Sequence, residues 1–269
     1  ESSFGIFQKE TQILRDVKHE FIINMVDSGL CPINKVFYLI TEFIPGKSFA
    51  VHLKMRKFSD QGKRLNEALK ITDNILIALN HLHTRDILHN DIKPSNIIVE
   101  ESGFPRLLDF GISRILETIT SSEEQNFFSP TYASPEQIKR ERITRQTDFY
   151  QLGITLLEGL CEKSEFLQFV RHKLPLSELI RKVSQRLCQL PQYNHEVSEE
   201  LNFILHKAIQ SNISERFKTA REFRNDIISL QHSLPFQPTY EKFLRRGVID
   251  RKNGLDFNKK LNCHLNMDI

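Results

Sequence analysis

The sequence predicts an α+β fold, with a short strand-bearing start and a longer, mainly helical remainder. Three observations predict it. Val36-Phe37-Tyr38-Leu39-Ile40 is a run of β-branched and aromatic residues and reads as a strand. Ile97-Ile98-Val99 and Arg106-Leu107-Leu108 flank a Ser102-Gly103 turn and read as a hairpin. From about Leu65 to Thr84 the composition favours helix, with apolar recurrence at Leu69, Ile75, Leu76, Leu79 and Leu82.

The remaining elements follow in chain order. Phe7 to Leu14 reads as a helix, with Ile6, Ile13, Leu14 and Val17 roughly keeping one apolar stripe. On composition alone, Glu10 is a solvated glutamate of that helix. The strand at 36–40 ends in Thr41-Glu42-Phe43-Ile44-Pro45-Gly46, an edge strand followed by a Pro-Gly turn. His81 and His83 stand two apart within the long helix. They do not share a face, which argues against a metal site there.

The chemistry concentrates in His89-Asn90-Asp91-Ile92-Lys93-Pro94-Ser95-Asn96 and in Leu108-Asp109-Phe110-Gly111. A single Asp or Asn in a loop is usually a turn or cap residue. Here a carboxylate, an ammonium group and an amide share one loop, and a second carboxylate follows one hairpin later. Phosphoryl transfer from a nucleotide needs this set, because its catalysis is mainly positioning and charge neutralisation. Asp91 would accept or orient the proton of the attacking hydroxyl. In an extended loop Lys93 points the same way as Asp91, and would sit against the γ-phosphate. Asn96 and Asp109 offer oxygen ligands suited to Mg²⁺, and the hairpin returns Asp109 beside Asn96.

These two motifs resemble the H-R-D-x-K-x-x-N and D-F-G of the protein kinases. The resemblance runs from about the start of the chain to about residue 232. It implies a bilobal fold. Residues 1–43 would be part of a small N-lobe (the family's helix C and strands four and five), 44–232 a complete helical C-lobe, and 233–269 a tail or linker. It implies ATP and Mg²⁺ as cofactors and a protein as acceptor. Glu10 would pair with the family's ATP-positioning lysine. Thr41 takes the gatekeeper position, which opens a rear pocket. Glu42 and Ile44 would present backbone groups to adenine, with Ile98 a further nucleotide contact. Leu14, Met25, His89 and Phe110 fall where the family stacks its regulatory spine.

Ser129-Pro130-Thr131-Tyr132-Ala133-Ser134-Pro135-Glu136 resembles G-T-x-x-Y-x-A-P-E. Ser129 takes the threonine position, from which its hydroxyl reaches the catalytic loop. This stretch and the Lys-Pro after Asp91 favour serine or threonine over tyrosine as acceptor. Asp148, in Gln146-Thr147-Asp148-Phe149-Tyr150, would brace the catalytic loop; by itself it is a helix N-terminal acid favoured by the dipole. Asn212-Ile213-Ser214-Glu215-Arg216-Phe217 resembles the family's D-P-x-x-R, which implies that Arg216 pairs with Glu136 as a folding element and that helices at about 197–210 and 219–232 lie on either side of this loop. The pattern looks most like serine/threonine kinases of bacterial type.

The sequence departs from that family in two places. Before Glu10 there is no glycine-rich strand–turn–strand and no lysine on a strand; Gly5 stands alone, and the first residue is Glu. The expectation is a piece of a longer protein, or a maturation product. Such a piece lacks the lid over the phosphates, transfers phosphate inefficiently by itself, and owes its chemistry to the parent chain. The second departure is Asn90, which replaces the arginine that pairs with a phosphate on the activation segment. Activation is then expected without phosphorylation of Thr118, Thr120, Ser121 or Ser122. These lie in the polar stretch 112–128 and are equally readable as residues of a solvated loop.

Composition narrows the rest. At 269 residues, 39% apolar and 26% charged, the chain has enough for a core and an ordinary soluble surface. A net charge of +3 argues against a nucleic-acid surface. Cys31, Cys161, Cys188 and Cys263 form no CxxC, which suits free thiols in a reducing, cytoplasmic setting. No apolar run reaches membrane-spanning length. Residues 233–269 are polar and slightly basic, the pattern of a linker or docking tail. Three alternatives stay open: a pseudokinase scaffold acting by protein–protein contacts, a small-molecule kinase sharing the H-x-D-x-x-x-x-N loop, and a kinase module whose parent acts mainly through another domain.

Overall fold

The computed structural model describes residues 7, 11–12, 14–34, 36–55, 61–109, 129–172, 175–189 and 195–234, all within the unit Glu1–Pro235. Ile6, Glu10, Ile13, Phe110, Thr118, Thr120, Ser121 and Ser122, together with the tail beyond Leu234, lie outside the described residues.

Residues 11–12 and 14–16 are helical, as the apolar stripe predicts, with Leu14 and Val17 turned into the core. Strands β1 (Met25–Leu30) and β2 (Phe37–Thr41) form an antiparallel pair, with Gly29 opposite Tyr38 and Asp27 opposite Ile40. A second sheet has the order β3 (Gly46–Ser48), β4 (Ile97–Glu100), β5 (Pro105–Leu107), all antiparallel. Between them, residues 21–23 lie along β5. Leu107 N–H donates to Phe21 O at 2.8 Å, and Ile23 N–H to Leu107 O at 3.0 Å.

The Pro45-Gly46 turn expected after the edge strand is not there. Gly46 instead opens β3 opposite Glu100. A Cβ on Gly46 would stand 2.5 Å from Val99 O, so only glycine lets the two strands approach this closely. The expected hairpin forms, with Leu108 one residue past the strand end.

The helical part begins with α1 (Phe49–Met55) and α2 (Gln61–His83). The latter starts earlier than the composition suggests. Its Leu65, Leu69, Thr72, Leu76, Leu79 and Leu82 keep the i, i+3/i+4 rhythm of one buried face. Then come α3 (Pro135–Ile138), α4 (Arg145–Leu160), α5 (Lys163–His172), α6 (Leu176–Cys188), α7 (His195–Ala208) and α8 (Ala220–Ser233). Both α7 and α8 fall within two residues of expectation. The motif reading left α1, α5 and α6 unassigned. Helix α8 stops at Ser233 because Leu234 precedes Pro235 and is extended, at φ −79° and ψ 138°.

The axis of the core is α4, thirteen of whose sixteen residues are buried, on every side of the helix. Apolar residues such as Phe149, Leu152, Leu156 and Leu157 account for most of that burial. Of its buried polar residues, Thr147, Asp148 and Gln151 have partners elsewhere in the chain, while Thr155 Oγ1 has no hydrogen-bond partner among the described residues. A buried polar group is costly unless paired, so these partnerships fix what lies against the helix. What lies there is the loop 89–93.

Candidate active site

The loop is held through its backbone. Asp148 Oδ2 accepts from His89 N–H at 3.0 Å, and Oδ1 from Asn90 N–H at 2.8 Å. His83 Nε2 lies 2.7 Å from Asp148 Oδ2. Burial opposes ionisation of Asp148. The hydrogen bond and charge of His83, with the backbone N–H groups, outweigh it and hold the carboxyl below its usual range. His89 is fully buried. Burial pushes its pKa down despite the nearby carboxylates, so the ring is neutral. Its Nδ1 faces Asp91 N–H at 3.3 Å and its Nε2 faces Leu108 O at 2.7 Å. A carbonyl needs a donor, so the proton sits on Nε2.

Asn90 adopts φ 67°, a left-handed conformation that Asn tolerates better than most residues. This turn sends Asp91 away from α4. Pro94–Asn96 then closes a 3₁₀ turn with proline at its start, and Asn96 N–H donates to Lys93 O at 3.0 Å.

Four of the residues singled out from sequence meet here. Asp91 Oδ2 accepts from Lys93 Nζ at 2.6 Å and from Asn96 Nδ2 at 3.2 Å; Oδ1 accepts from Ser129 N–H at 3.1 Å. Lys93 Nζ also donates to Ser129 Oγ at 2.7 Å. Asn96 Nδ2 further donates to Asp91 O at 2.8 Å. The amide's donors thus face Asp91, which leaves its oxygen as the atom free to ligate. Leu108 N–H donates to Asn96 O at 2.8 Å, and that bond brings Asp109 beside Asn96. Asp109 is exposed at φ 55°, and its carboxylate makes no hydrogen bond among the described residues. An amide oxygen and a carboxylate are oxygen donors of the kind a hard divalent cation takes.

The sequence-predicted nucleotide contacts are placed as follows. Thr41 ends β2 opposite Met25. Glu42 N–H already donates to Asn24 O at 3.0 Å, and its Oε1 accepts from Asn24 N–H and Nδ2, both at 2.8 Å. The backbone group Glu42 has left for a ligand is its carbonyl. Ile44 is half-buried against the core, and Ile98 is half-buried on β4, between Ser48 and Arg106. Ile97 and Val99 turn the other way, into the core. Leu14, Met25 and His89 are all buried.

Sequence reasoning missed Gln137 and Gln151. Gln151 lies three residues after Asp148, on the same face of α4, and accepts from Ile92 N–H at 2.9 Å. The available signal was a large amide within the mostly apolar stretch 149–157 of α4. Also missed is Tyr132, whose hydroxyl donates to Glu158 Oε2 at 2.6 Å. Burial, then the Glu158 hydrogen bond and charge, push the Tyr132 phenol far up.

Residues 2–226 match the family model described as protein kinase domain. The chain is 28% identical over 224 residues to a probable serine/threonine-protein kinase PknB of Lactococcus lactis, covering 82% of this chain and 34% of that protein. It is 27% identical over 222 residues to the serine/threonine-protein kinase PrkC of Bacillus subtilis, covering 82% and 33%. To PknB of Mycolicibacterium smegmatis it is 28% identical over 227 residues, covering 82% and 35%. The chain spans about a third of the length of the curated relatives it matches. A match over most of the chain, on a fold of small antiparallel sheets and a helical remainder, places it: the chain belongs to the protein kinase family, with relatives of the bacterial serine/threonine type.

Proposed function

We infer that the protein carrying this chain transfers the γ-phosphate of ATP to a serine or threonine hydroxyl of a protein substrate. One observation carries the reading: Lys93 Nζ bridges Asp91 Oδ2 and Ser129 Oγ. A carboxylate, a cation and a hydroxyl are thereby fixed at one point of an otherwise buried loop. Asp91 orients the acceptor hydroxyl and takes up its proton as the bond to phosphorus forms. Lys93 stands where negative charge accumulates. Ser129 holds Lys93 and Asp91 in register. Bound Mg²⁺ would supply charge neutralisation, and Asn96 and Asp109 would hold it. Thr41, the Glu42 carbonyl, Ile44 and Ile98 would line the adenine site, and Glu10 would pair with the ATP-positioning lysine of the family.

In this reading residues 1–43 belong to the small lobe, 44–232 to the large lobe and 233–269 to a tail, in a cytoplasmic enzyme. No helix among the described residues is long and apolar enough to cross a membrane.

The test is transfer of label from γ-labelled ATP with Mg²⁺, using the full-length protein, to itself and to a generic protein substrate. Label on serine or threonine that Asp91→Ala abolishes supports the reading. A folded, ATP-binding protein that labels nothing above Asp91→Ala overturns it and points to a scaffold acting by contacts.

A further inference from the structure

Asp148 fixes the loop ahead of Asp91, and Asn96 Nδ2 holds the Asp91 carbonyl behind it, but no residue of the recognised motifs takes the Ile92 N–H. The structure supplies a second anchor. Gln151 Nε2 donates to Asn90 O at 2.7 Å and to Gln137 Oε1 at 2.9 Å, while its Oε1 accepts from Ile92 N–H at 2.9 Å. Gln137 Nε2 donates to the same Asn90 O at 2.9 Å, and its Oε1 accepts from Ser134 N–H at 3.0 Å. Gln151 is fully buried, and Gln137 and Asn90 nearly so. Each amide has one possible orientation, because Ile92 and Ser134 offer only donors here and Asn90 only an acceptor. Both lone pairs of Asn90 O and both donors of Gln151 are used.

We propose that Gln151, seconded by Gln137, is a positioning residue for Asp91. It grips the peptide groups on both sides of that residue, the carbonyl before it and the amide after it, and ties them through Gln137 and Ser134 to α3. The inference rests on the transfer reading above for its kinetic consequence, but its structural content is independent of it. Asp91 touches Lys93, Asn96 and Ser129; Gln151 touches none of them, and acts only through the backbone.

Gln151→Ala removes the grip. A small displacement of a reacting group can cost about a hundredfold, so kcat should fall by roughly ten- to a hundredfold, with KM for ATP unchanged. Gln151→Glu is the sharper variant. Its neutral acid keeps the acceptor for Ile92 N–H and one donor for Asn90 O. Its carboxylate would face two carbonyl oxygens in a buried site, so its pKa is raised and the intact form prevails at lower pH.

The experiment measures kcat and KM for wild type and both variants in the full-length protein, from about pH 8 to about pH 6. It also follows amide hydrogen exchange of each folded protein. The expected result is a kcat defect in Gln151→Ala and a Gln151→Glu activity, relative to wild type, that rises as pH falls. Faster exchange should be confined to 90–93. Wild-type kcat in Gln151→Ala, or a Gln151→Glu profile parallel to wild type, overturns the proposal. If the wild type itself labels nothing, the transfer reading fails and exchange alone decides. Local acceleration at 90–93 in Gln151→Glu at the higher pH sustains the anchor, and uniform acceleration across α2 and α8 overturns it.

Discussion

Arg216 grips Glu136 with both arms, at 2.7 and 2.8 Å, although eighty residues separate them. The guanidinium is almost wholly buried. Its remaining N–H groups reach Gln210 O, Gln146 O and Ser211 O, and it stacks 4.8 Å from the Tyr150 ring. Thr147 Oγ1 adds a donor to Glu136 at 2.8 Å. The pair thereby joins α3, the start of α4 and the loop before α8. Since α3 also carries Gln137, a folding contact and the catalytic loop share one short helix.

Removing one partner leaves a buried charge alone, and that costs about 3–5 kcal/mol. Arg216→Ala should therefore lose that much stability in chemical denaturation. The double change Arg216→Met with Glu136→Leu should recover most of it, because apolar groups of similar size can replace a buried pair. There is a pH signature too. Burial works against the Glu136 carboxylate, but the Arg216 hydrogen bonds prevail and hold its pKa below the usual range. Its contribution is present above the unfolded value, about 4.3, and fades as pH falls through the lower folded value. Acid sensitivity in that window should be weaker in the double variant.

Burial of a histidine predicts a second acid effect. His81 is pushed down to about 4 by burial, then by Arg85 and His19, and its Nε2 is buried with no hydrogen-bond partner among the described residues. His19 packs against it, ring centroids 4.7 Å apart, and is itself lowered by burial and Arg85. The folded state favours neutral rings and the unfolded state binds the protons first. Stability should fall as pH drops from about 6.5 toward 4. His81→Phe should flatten the thermal midpoint over that range; an unchanged slope would contradict the assignment.

Gly153 predicts a packing effect. A Cβ there would stand 2.8 Å from Ala208 Cβ and 2.9 Å from Ile209 Cγ2. Neither neighbour is the far end of a flexible chain, so α4 and the end of α7 must move apart. Gly153→Ala gains helix propensity but overpacks the core, at a net cost of about 1–3 kcal/mol. A denaturation midpoint at or above wild type would show that the interface yields freely.

The legible parts of this molecule are those whose chemistry sits in short, local patterns. Asp91, Lys93 and Asn96 declare themselves within one loop, and a hairpin of ordinary length returns Asp109. Asp148 and Arg216 follow from motifs of the same family. What stayed hidden depends on distant partners. Gly46 reads as a turn until its partner strand, fifty residues on, is known. The Glu42 amide looks free until Asn24 is seen to take it. Gln151 looks like a polar lapse in the mostly apolar stretch 149–157 until Ile92 N–H and Asn90 O are placed against it. None of the motifs falls within α5 or α6, so nothing in them marked these helices.

Ser129 gives a prediction within the site. Its hydroxyl accepts one charge-assisted hydrogen bond from Lys93, of a kind worth about 1.5–3 kcal/mol. Ser129→Ala should lower kcat by roughly ten- to a hundredfold, and Ser129→Thr should retain activity. Equal loss in both would mean that the hydroxyl by itself does not decide.

Asn90 gives the last. Its backbone N–H is held by Asp148, its carbonyl by two glutamines, and its side chain is buried with Oδ1 unpaired among the described residues. Asn90 carries no positive charge with which to hold a phosphate on the segment 112–128, so the expected outcome is turnover that does not depend on phosphorylation of Thr118, Thr120, Ser121 or Ser122. Changing all four to alanine should leave the rate of label transfer close to wild type. A large loss that acidic replacements restore would mean that a cation elsewhere takes the role Asn90 has vacated.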